Sequence, residues 1–312
     1  MSLSSKLIGS GTYGCVVSPP ITTNIVEIKK PYTKKVKTDV GKLFKTTHDV
    51  IREVIKEFSA YKTAVETIEH YDKIVPKIKG YNLISNINNS KINECLFNYQ
   101  NDKHIHQLIY ENAGTTFHKY PNNQLNYKMF KKMLKKFFIY FSYYVKAGKI
   151  HCDITENNIM IKGNRILLID FGLEKQQKTI FDKKYCNFFK HKYPYFSPEY
   201  RLLYLKKRVN TKANINFGFS NFKDLMDDKY GTFDIMTKEY ILAEIGSLLN
   251  NFSADSSKID IFSIGVNLYL IRDKIIFDTT QELNNYNYLI KKMIEPNHKK
   301  RFSISDIIKY IN

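Results

Sequence analysis

The most constraining stretch of this chain is Ile150-His151-Cys152-Asp153-Ile154-Thr155-Glu156-Asn157-Asn158. Seventeen residues after Asp153, an apolar run, Leu167-Leu168-Ile169, ends in Asp170-Phe171-Gly172. An acid in a loop, an amide five positions on and a second acid closing a strand make a base-and-metal constellation. Phosphoryl transfer needs a carboxylate beside the attacking hydroxyl and hard oxygen ligands for a Mg²⁺ ion that bridges the phosphates. Taken singly, Asp153 could cap a turn and Asn158 could be an ordinary loop amide. The ordered set carries the reading.

Near the start, Leu7-Ile8-Gly9-Ser10-Gly11-Thr12-Tyr13-Gly14-Cys15-Val16-Val17 places three glycines between two β-prone runs. Glycines at this spacing let a hairpin bend sharply and bring backbone N–H groups close to phosphates. The pattern alone is weak, and a dinucleotide-binding fold would follow it with a helix. Here Cys15-Val16-Val17 continues as a strand and runs into Pro19-Pro20, which predicts strand–turn–strand.

With these residues in place, the chain resembles the eukaryotic-type protein kinases. The family pattern H-R-D-x-x-x-x-N followed by D-F-G is matched at His151, Asp153, Asn158, Asp170, Phe171 and Gly172. Ser197-Pro198-Glu199 stands where the family has A-P-E, and Asp260-Ile261-Phe262-Ser263-Ile264-Gly265 matches D-x-W-S-x-G. Arg301 resembles the arginine that pairs with the A-P-E glutamate, here Glu199. The resemblance implies an α+β, bilobal fold. A small β-rich lobe is expected over residues 1–114 and a larger, mostly helical lobe over 115–312, with an insert at about 201–256. It implies ATP and Mg²⁺ as cofactors, with Asp153 orienting the substrate hydroxyl and Asn158 and Asp170 holding the metal. Ile8, Gly9, Gly11, Gly14 and Val16 would enclose the nucleotide. Leu108 to Gly114 resembles the hinge strand, where adenine meets backbone near Glu111 and Ala113. His151 and Phe171 are expected to pack in the interior.

Two lysines compete for the phosphate-anchoring role. Lys29, in Val26-Glu27-Ile28-Lys29, lies fifteen residues after Gly14; Lys42 follows a small residue in Val40-Gly41-Lys42-Leu43-Phe44. From Asp49 to Ile68 apolar residues recur at helical spacing. On that helix Glu57 has Val54, Ala60, Tyr61 and Ala64 around it and is preferred over Glu53 as the acid facing inward. Lys42 precedes Glu57 by fifteen positions and Lys29 by twenty-eight, which favours Lys42 on a strand leading directly into the helix. The next helix is expected from Leu125 to Ala147, with Met129, Met133, Phe137, Tyr140 and Tyr144 as its packing stripe.

Two departures from the family matter. Cys152 replaces the arginine that reads an activation-segment phosphate, so control by that phosphate is not expected. Thr155 stands where Ser/Thr kinases usually carry a lysine, and Lys192, seven before Glu199, stands where they usually carry a threonine. One reading is a compensating exchange, with Lys192 supplying transition-state charge and Thr155 its hydroxyl partner. The other is a degraded site beside one of many lysines.

The charge balance is basic, 49 Lys+Arg against 30 Asp+Glu, or +19. The lysines are scattered, no nucleic-acid motif accompanies them, and their abundance beside Asn, Ile and Tyr fits an AT-rich coding genome. The chain is in this respect similar to the kinases of large DNA viruses. No specific nucleic-acid partner is expected. The basic residues at Lys175, Lys178, Lys183, Lys184, Lys190 and Lys192 favour an acidic protein substrate. No apolar run approaches ~18 residues, so no membrane partner is expected. The four widely spaced cysteines read as free thiols of an intracellular, cytoplasmic protein, in the host cytoplasm or a virion if the origin is viral. The resemblance implies transfer of the ATP γ-phosphoryl group to a protein hydroxyl, Ser/Thr rather than Tyr. The alternative is a pseudokinase, a nucleotide-binding scaffold that recruits a partner.

Overall fold

The computed structural model describes residues 5–11, 14–21, 25–30, 38–44, 48–85, 104–178, 180, 195–200, 244 and 255–312. The chain divides into two compact units, Met1–Gly114 and Thr115–Asn312, the first dominated by a sheet and the second by helices. This is the expected α+β, kinase-like class.

In the first unit, β1 (Lys6–Gly11), β2 (Gly14–Ser18), β3 (Ile25–Lys30), β4 (Val40–Phe44), β5 (Ile78–Ser85) and β6 (His104–Tyr110) form an antiparallel sheet. Its order is β1-β2-β4-β6-β5-β3. The glycine-rich segment is the strand–turn–strand that the sequence predicts, closed by Gly11 opposite Gly14. Gly14 answers to the sheet as well as to any ligand, because a Cβ there would run into the Leu43 carbonyl of β4. Helix α1 (His48–Thr67) sends Val54, Phe58 and Tyr61 onto Phe44, Tyr81 and Leu108. A second apolar cluster joins Cys15, Val17 and Ile21 to Leu43, Ile84 and Ile105. Gln107 extends it as a strand partner would. Its Oε1 accepts from the Ile21 N–H at 2.8 Å and its Nε2 donates to the Ile21 carbonyl at 2.9 Å. After α1 comes the short α2 (Tyr71–Ile74). Cys15 is disulfide-bonded, which corrects the expectation of free thiols: distance along the chain says nothing of distance in space. Cys152 is free and buried.

The second unit starts with β7 (Thr115–Thr116) and β8 (Leu125–Asn126), then α3 (Tyr127–Lys146). The Asn126 side chain caps α3 by accepting from the Met129 N–H at 3.2 Å. That cap starts the helix two residues later than expected. Its buried face is Phe130, Met133, Leu134, Phe137, Phe138, Phe141 and Tyr144. Met129, placed in the core by the sequence reading, is 42% exposed, and Tyr140 is half-buried. The aromatic crowding allowed two registers, and the one with more apolar side chains on one face won. Strands β9 (Lys149–Ile150), β10 (Ile159–Lys162), β11 (Arg165–Leu168) and β12 (Lys175–Gln176) frame the loops that carry the motifs. β10 pairs with β11 and β7, and β12 pairs with β9.

Helix α4 (Ile259–Leu270) is buried from Ile259 to Tyr269, with Asp260, Ser263 and Asn267 as its polar positions. Strand β13 (Ile275–Ile276) pairs with β8, and α5 (Thr280–Met293) and α6 (Ile304–Ile311) complete the unit. Gly265 lets α4 approach the end of α5: a Cβ there would lie 2.7 Å from Met293 Cβ and 2.8 Å from Ile294 Cγ2. Of the expected insert, Asp255, Ser256 and, alone in its stretch, Glu244 are described. Glu244 is buried and accepts from Lys300 Nζ at 2.5 Å and Asn297 Nδ2 at 3.1 Å. Burial pushes its carboxyl up, but the bonds from Lys300 and Asn297 prevail and hold it below its ordinary range. The helical stretches expected near 222–229 and 237–249 otherwise lie outside the described residues. Among the described residues, no helix is long and apolar enough to cross a membrane.

Candidate active site

The nucleotide-binding candidates of the first unit gather on β2 and β4. Lys42 lies directly opposite Val16 in the register of these strands, so both side chains stand on one face of the sheet. Lys42 Nζ donates to Glu57 at 3.3 Å (Oε1) and 3.2 Å (Oε2), with both side chains half-buried. Tyr110 Oη donates to Glu57 Oε1 at 2.5 Å, and the Phe44 ring lies 5.0 Å from Lys42 Nζ. The glutamate is thus held by an ammonium and a phenol, and the lysine is restrained beside the glycine hairpin. Lys29 lies on the edge strand β3, with β4, β6 and β5 between it and β2. At the usual strand separation that is roughly 19 Å from the hairpin backbone. Ile8 is exposed, and Gly9 and Gly11 lie on β1. At the end of the unit, Glu111 is engaged with Lys77: its N–H donates to the Lys77 carbonyl at 2.9 Å and its Oε1 accepts from the Lys77 N–H at 3.2 Å.

The second unit holds the catalytic-loop candidates. Several backbone groups around Asp153 are held by side chains. The Cys152 N–H donates to Asp260 Oδ1 at 3.1 Å, and the Asp153 N–H donates to His151 Nδ1 at 3.3 Å. The Asp153 carbonyl accepts from Asn158 Nδ2 at 2.9 Å, and the Ile154 carbonyl accepts from Asn267 Nδ2 at 2.8 Å. Asn158 Nδ2 also donates to Asp153 Oδ2 at 3.0 Å. A backbone N–H only donates, so His151 Nδ1 is an acceptor and the ring is neutral. Its Nε2–H is directed at the Ile169 carbonyl 3.1 Å away. Burial lowers the His151 pKa to about 4, which keeps the ring neutral. The ring packs on Phe171 with centroids 4.5 Å apart, as the interior reading of both residues requires. Cys152 and Asp170 both sit at positive φ, 63° and 64°. That backbone is strained for residues with a Cβ and is held by the surrounding bonds.

Helix α4 organises these loops along one edge. Asp260, at its first turn, accepts from the His151 and Cys152 N–H groups at 2.7 and 3.1 Å. Burial pushes its carboxyl up to about 7, against the opposing pull of those two bonds. Ser263 Oγ donates to the Tyr195 carbonyl at 2.7 Å, and Asn267 takes the Ile154 carbonyl. The expected pair is also present: Arg301 Nη1 and Nη2 meet Glu199 Oε1 and Oε2 at 2.6 and 2.9 Å. Sequence reasoning overlooked Asn267, though an amide in an apolar helix seven residues after Asp260 is a legible signal. It also overlooked Glu174, whose carboxylate accepts from Lys149 at 2.5 Å and Tyr144 at 3.0 Å. Thr155 is buried, and its carbonyl accepts from the N–H groups of Asn158 and Ile159. Lys192 lies outside the described residues, so the exchange with Thr155 has no geometry here.

The donor set fits a magnesium ion. Asn158 has committed its amide nitrogen to Asp153, which leaves the amide oxygen as the atom that can face a metal. Asp170 adds a carboxylate at the end of β11. One or two protein oxygens, with water and phosphate completing the shell, is how Mg²⁺ is commonly bound. Among the described residues, no group of three or more His, Cys, Asp or Glu side chains forms a protein-only metal cage.

Residues 106–195 match the ABC1 atypical kinase-like domain family. No curated protein sequence matches the chain. The matched stretch runs from β6 through the catalytic loop and Asp170-Phe171-Gly172 to Tyr195. It therefore contains His151, Asp153, Asn158 and Asp170, and in this region the chain is similar to a kinase-like domain.

Proposed function

We propose that this chain is an ATP- and Mg²⁺-dependent protein kinase that transfers the γ-phosphoryl group to a serine or threonine hydroxyl of an acidic protein substrate. The carrying observation is the two-point attachment of Asn158 Nδ2 to Asp153, which restrains the acid and leaves the amide oxygen for a metal. Asp153 accepts or orients the substrate proton. Asn158 and Asp170 hold the metal, which neutralises charge on the phosphates when bound. Lys42, restrained by Glu57, supplies a cation to the phosphates, and the backbone of the glycine hairpin covers them. In the second unit, His151 and Asp260 hold the loop. Lys192 and Thr155 form the compensating pair of this reading. The lysines near the activation segment supply the preference for acidic substrates, and the codon-driven basicity agrees with a viral-type kinase.

A pseudokinase is the second reading, favoured by Thr155 at the position of the usual lysine. Purified full-length chain with ATP, Mg²⁺ and a mixed peptide library separates the two. Transfer that is lost in Asp153→Asn supports the kinase, and nucleotide binding without transfer to any hydroxyl supports the scaffold. Better phosphorylation of basic than acidic peptides ends the acidic-substrate reading.

A further inference from the structure

Asn267 is the one wholly buried amide on the otherwise apolar middle of α4, at 0% exposure. Both hydrogens of its amide nitrogen are engaged, one with the Ile154 carbonyl at 2.8 Å and one with the Ser263 carbonyl a turn earlier at 2.7 Å. Its Oδ1 is buried with no hydrogen-bond partner among the described residues. An orphaned buried acceptor is destabilising, and a leucine would fill much the same volume without it. Helix packing therefore does not account for the residue, and a local rule broken without gain to packing marks a functional position. The gain lies on the catalytic loop, because the carbonyl it grips belongs to the residue after Asp153.

We propose that Asn267 is a positioning residue for phosphoryl transfer: its bond to the Ile154 carbonyl orients the Asp153 carboxylate from the C-terminal side. Asp260 acts from the other side through the Cys152 N–H, and Asn158 holds the Asp153 carbonyl between them. Without Asn267, the Ile154 peptide plane is free to rotate, and rotation swings Asp153 relative to its tether on Asn158. A small misplacement of a catalytic group lowers turnover more than substrate binding. The inference rests on the kinase reading above.

The test uses the full chain with Asn267→Leu and Asn267→Asp. In Asn267→Leu, kcat falls on the order of tenfold or more while the KM for ATP stays within about threefold. In Asn267→Asp the side chain donates to the Ile154 carbonyl only when protonated. Its kcat, divided by the wild-type value at each pH, therefore falls as pH rises; the ratio removes the titration of Asp260, His151 and Asp153 common to both proteins. A kcat within twofold of wild type in a folded Asn267→Leu variant overturns the proposal, as does a flat ratio in Asn267→Asp. If the wild-type chain transfers no phosphoryl group, the kinase reading fails by itself. Hydrogen exchange of the 154–159 amides then decides the inference, faster in Asn267→Leu if Asn267 holds the loop and unchanged if it does not.

Discussion

Arg301 and Glu199, 102 residues apart, meet in a bidentate ion pair with both side chains excluded from solvent. The guanidinium is otherwise saturated. Nε donates to the Glu295 carbonyl at 2.9 Å, Nη1 to the Lys258 carbonyl at 3.1 Å and Nη2 to the Pro296 carbonyl at 3.3 Å. The Phe262 ring covers it at 5.0 Å. The pair ties Glu199 to the residues that precede α4 and α6. Removing one partner strands a buried charge, which typically costs about 3–5 kcal/mol. Glu199→Ala is expected to lower the denaturant midpoint accordingly, and Arg301→Lys to lower it as well, because an ammonium cannot fork across two oxygens. Urea titration of the full chain checks both.

On the proposed kinase reading, Lys42→Met lowers the transfer rate at least a hundredfold without unfolding the sheet, since that reading has Lys42 offer its cation to the phosphates. Glu57→Gln keeps the Tyr110 contact and loses about tenfold. Lys29→Met stays near wild type because its strand is at the far edge. Initial rates at saturating peptide measure all three.

On the same reading, Asp153→Asn lowers kcat by roughly 10²–10⁴ with nucleotide affinity nearly unchanged, because proton handling is the role that reading gives Asp153. Asp170→Asn instead raises the Mg²⁺ concentration needed for half-maximal rate, and chelation of Mg²⁺ abolishes transfer by the wild-type chain. Rate against free Mg²⁺ separates the two effects.

The stability of the second unit carries two opposed pH terms. His151 is depressed from 6.5 to about 4, so its contribution is complete above pH 6.5 and is lost as pH falls toward 4. Asp260 is raised from 3.8 to about 7, so its contribution is complete below pH 3.8 and is lost as pH rises through 7. Each amounts to about 3–4 kcal/mol at most. Asp260→Asn should therefore leave a chain that weakens on acidification from pH 6.5 to 4. His151→Phe should leave one that weakens as pH rises from 4 to 7. Unfolding free energies across that range test the two signs.

If Lys192 and Thr155 have exchanged roles, Lys192→Ala lowers kcat by at least tenfold, and Thr155→Lys combined with Lys192→Thr is more active than either single change. Near-wild-type turnover of Lys192→Ala ends the exchange reading.

The catalytic loop and the Asp-Phe-Gly strand end were legible as short polar signatures in apolar surroundings, and the Glu199–Arg301 pair followed from the family resemblance they carry. The choice of Lys42 over Lys29 rested on spacing to Glu57, a distance a strand and its following helix can span. The α3 register misled because Met129, Tyr140 and their neighbours satisfy helical spacing almost as well as the true face. Helical periodicity alone cannot rank two aromatic stripes.

The motifs and the family resemblance they carry thus pointed from sequence alone to the candidate site residues and to the α+β class. The tertiary structure decided what spacing along the chain cannot encode: the disulfide at Cys15, the neutral tautomer of His151 and the reach of Asn267 to Ile154 across 113 residues. Each depends on which buried polar group finds a partner once the apolar core has closed. That pairing exists only after distant segments have packed.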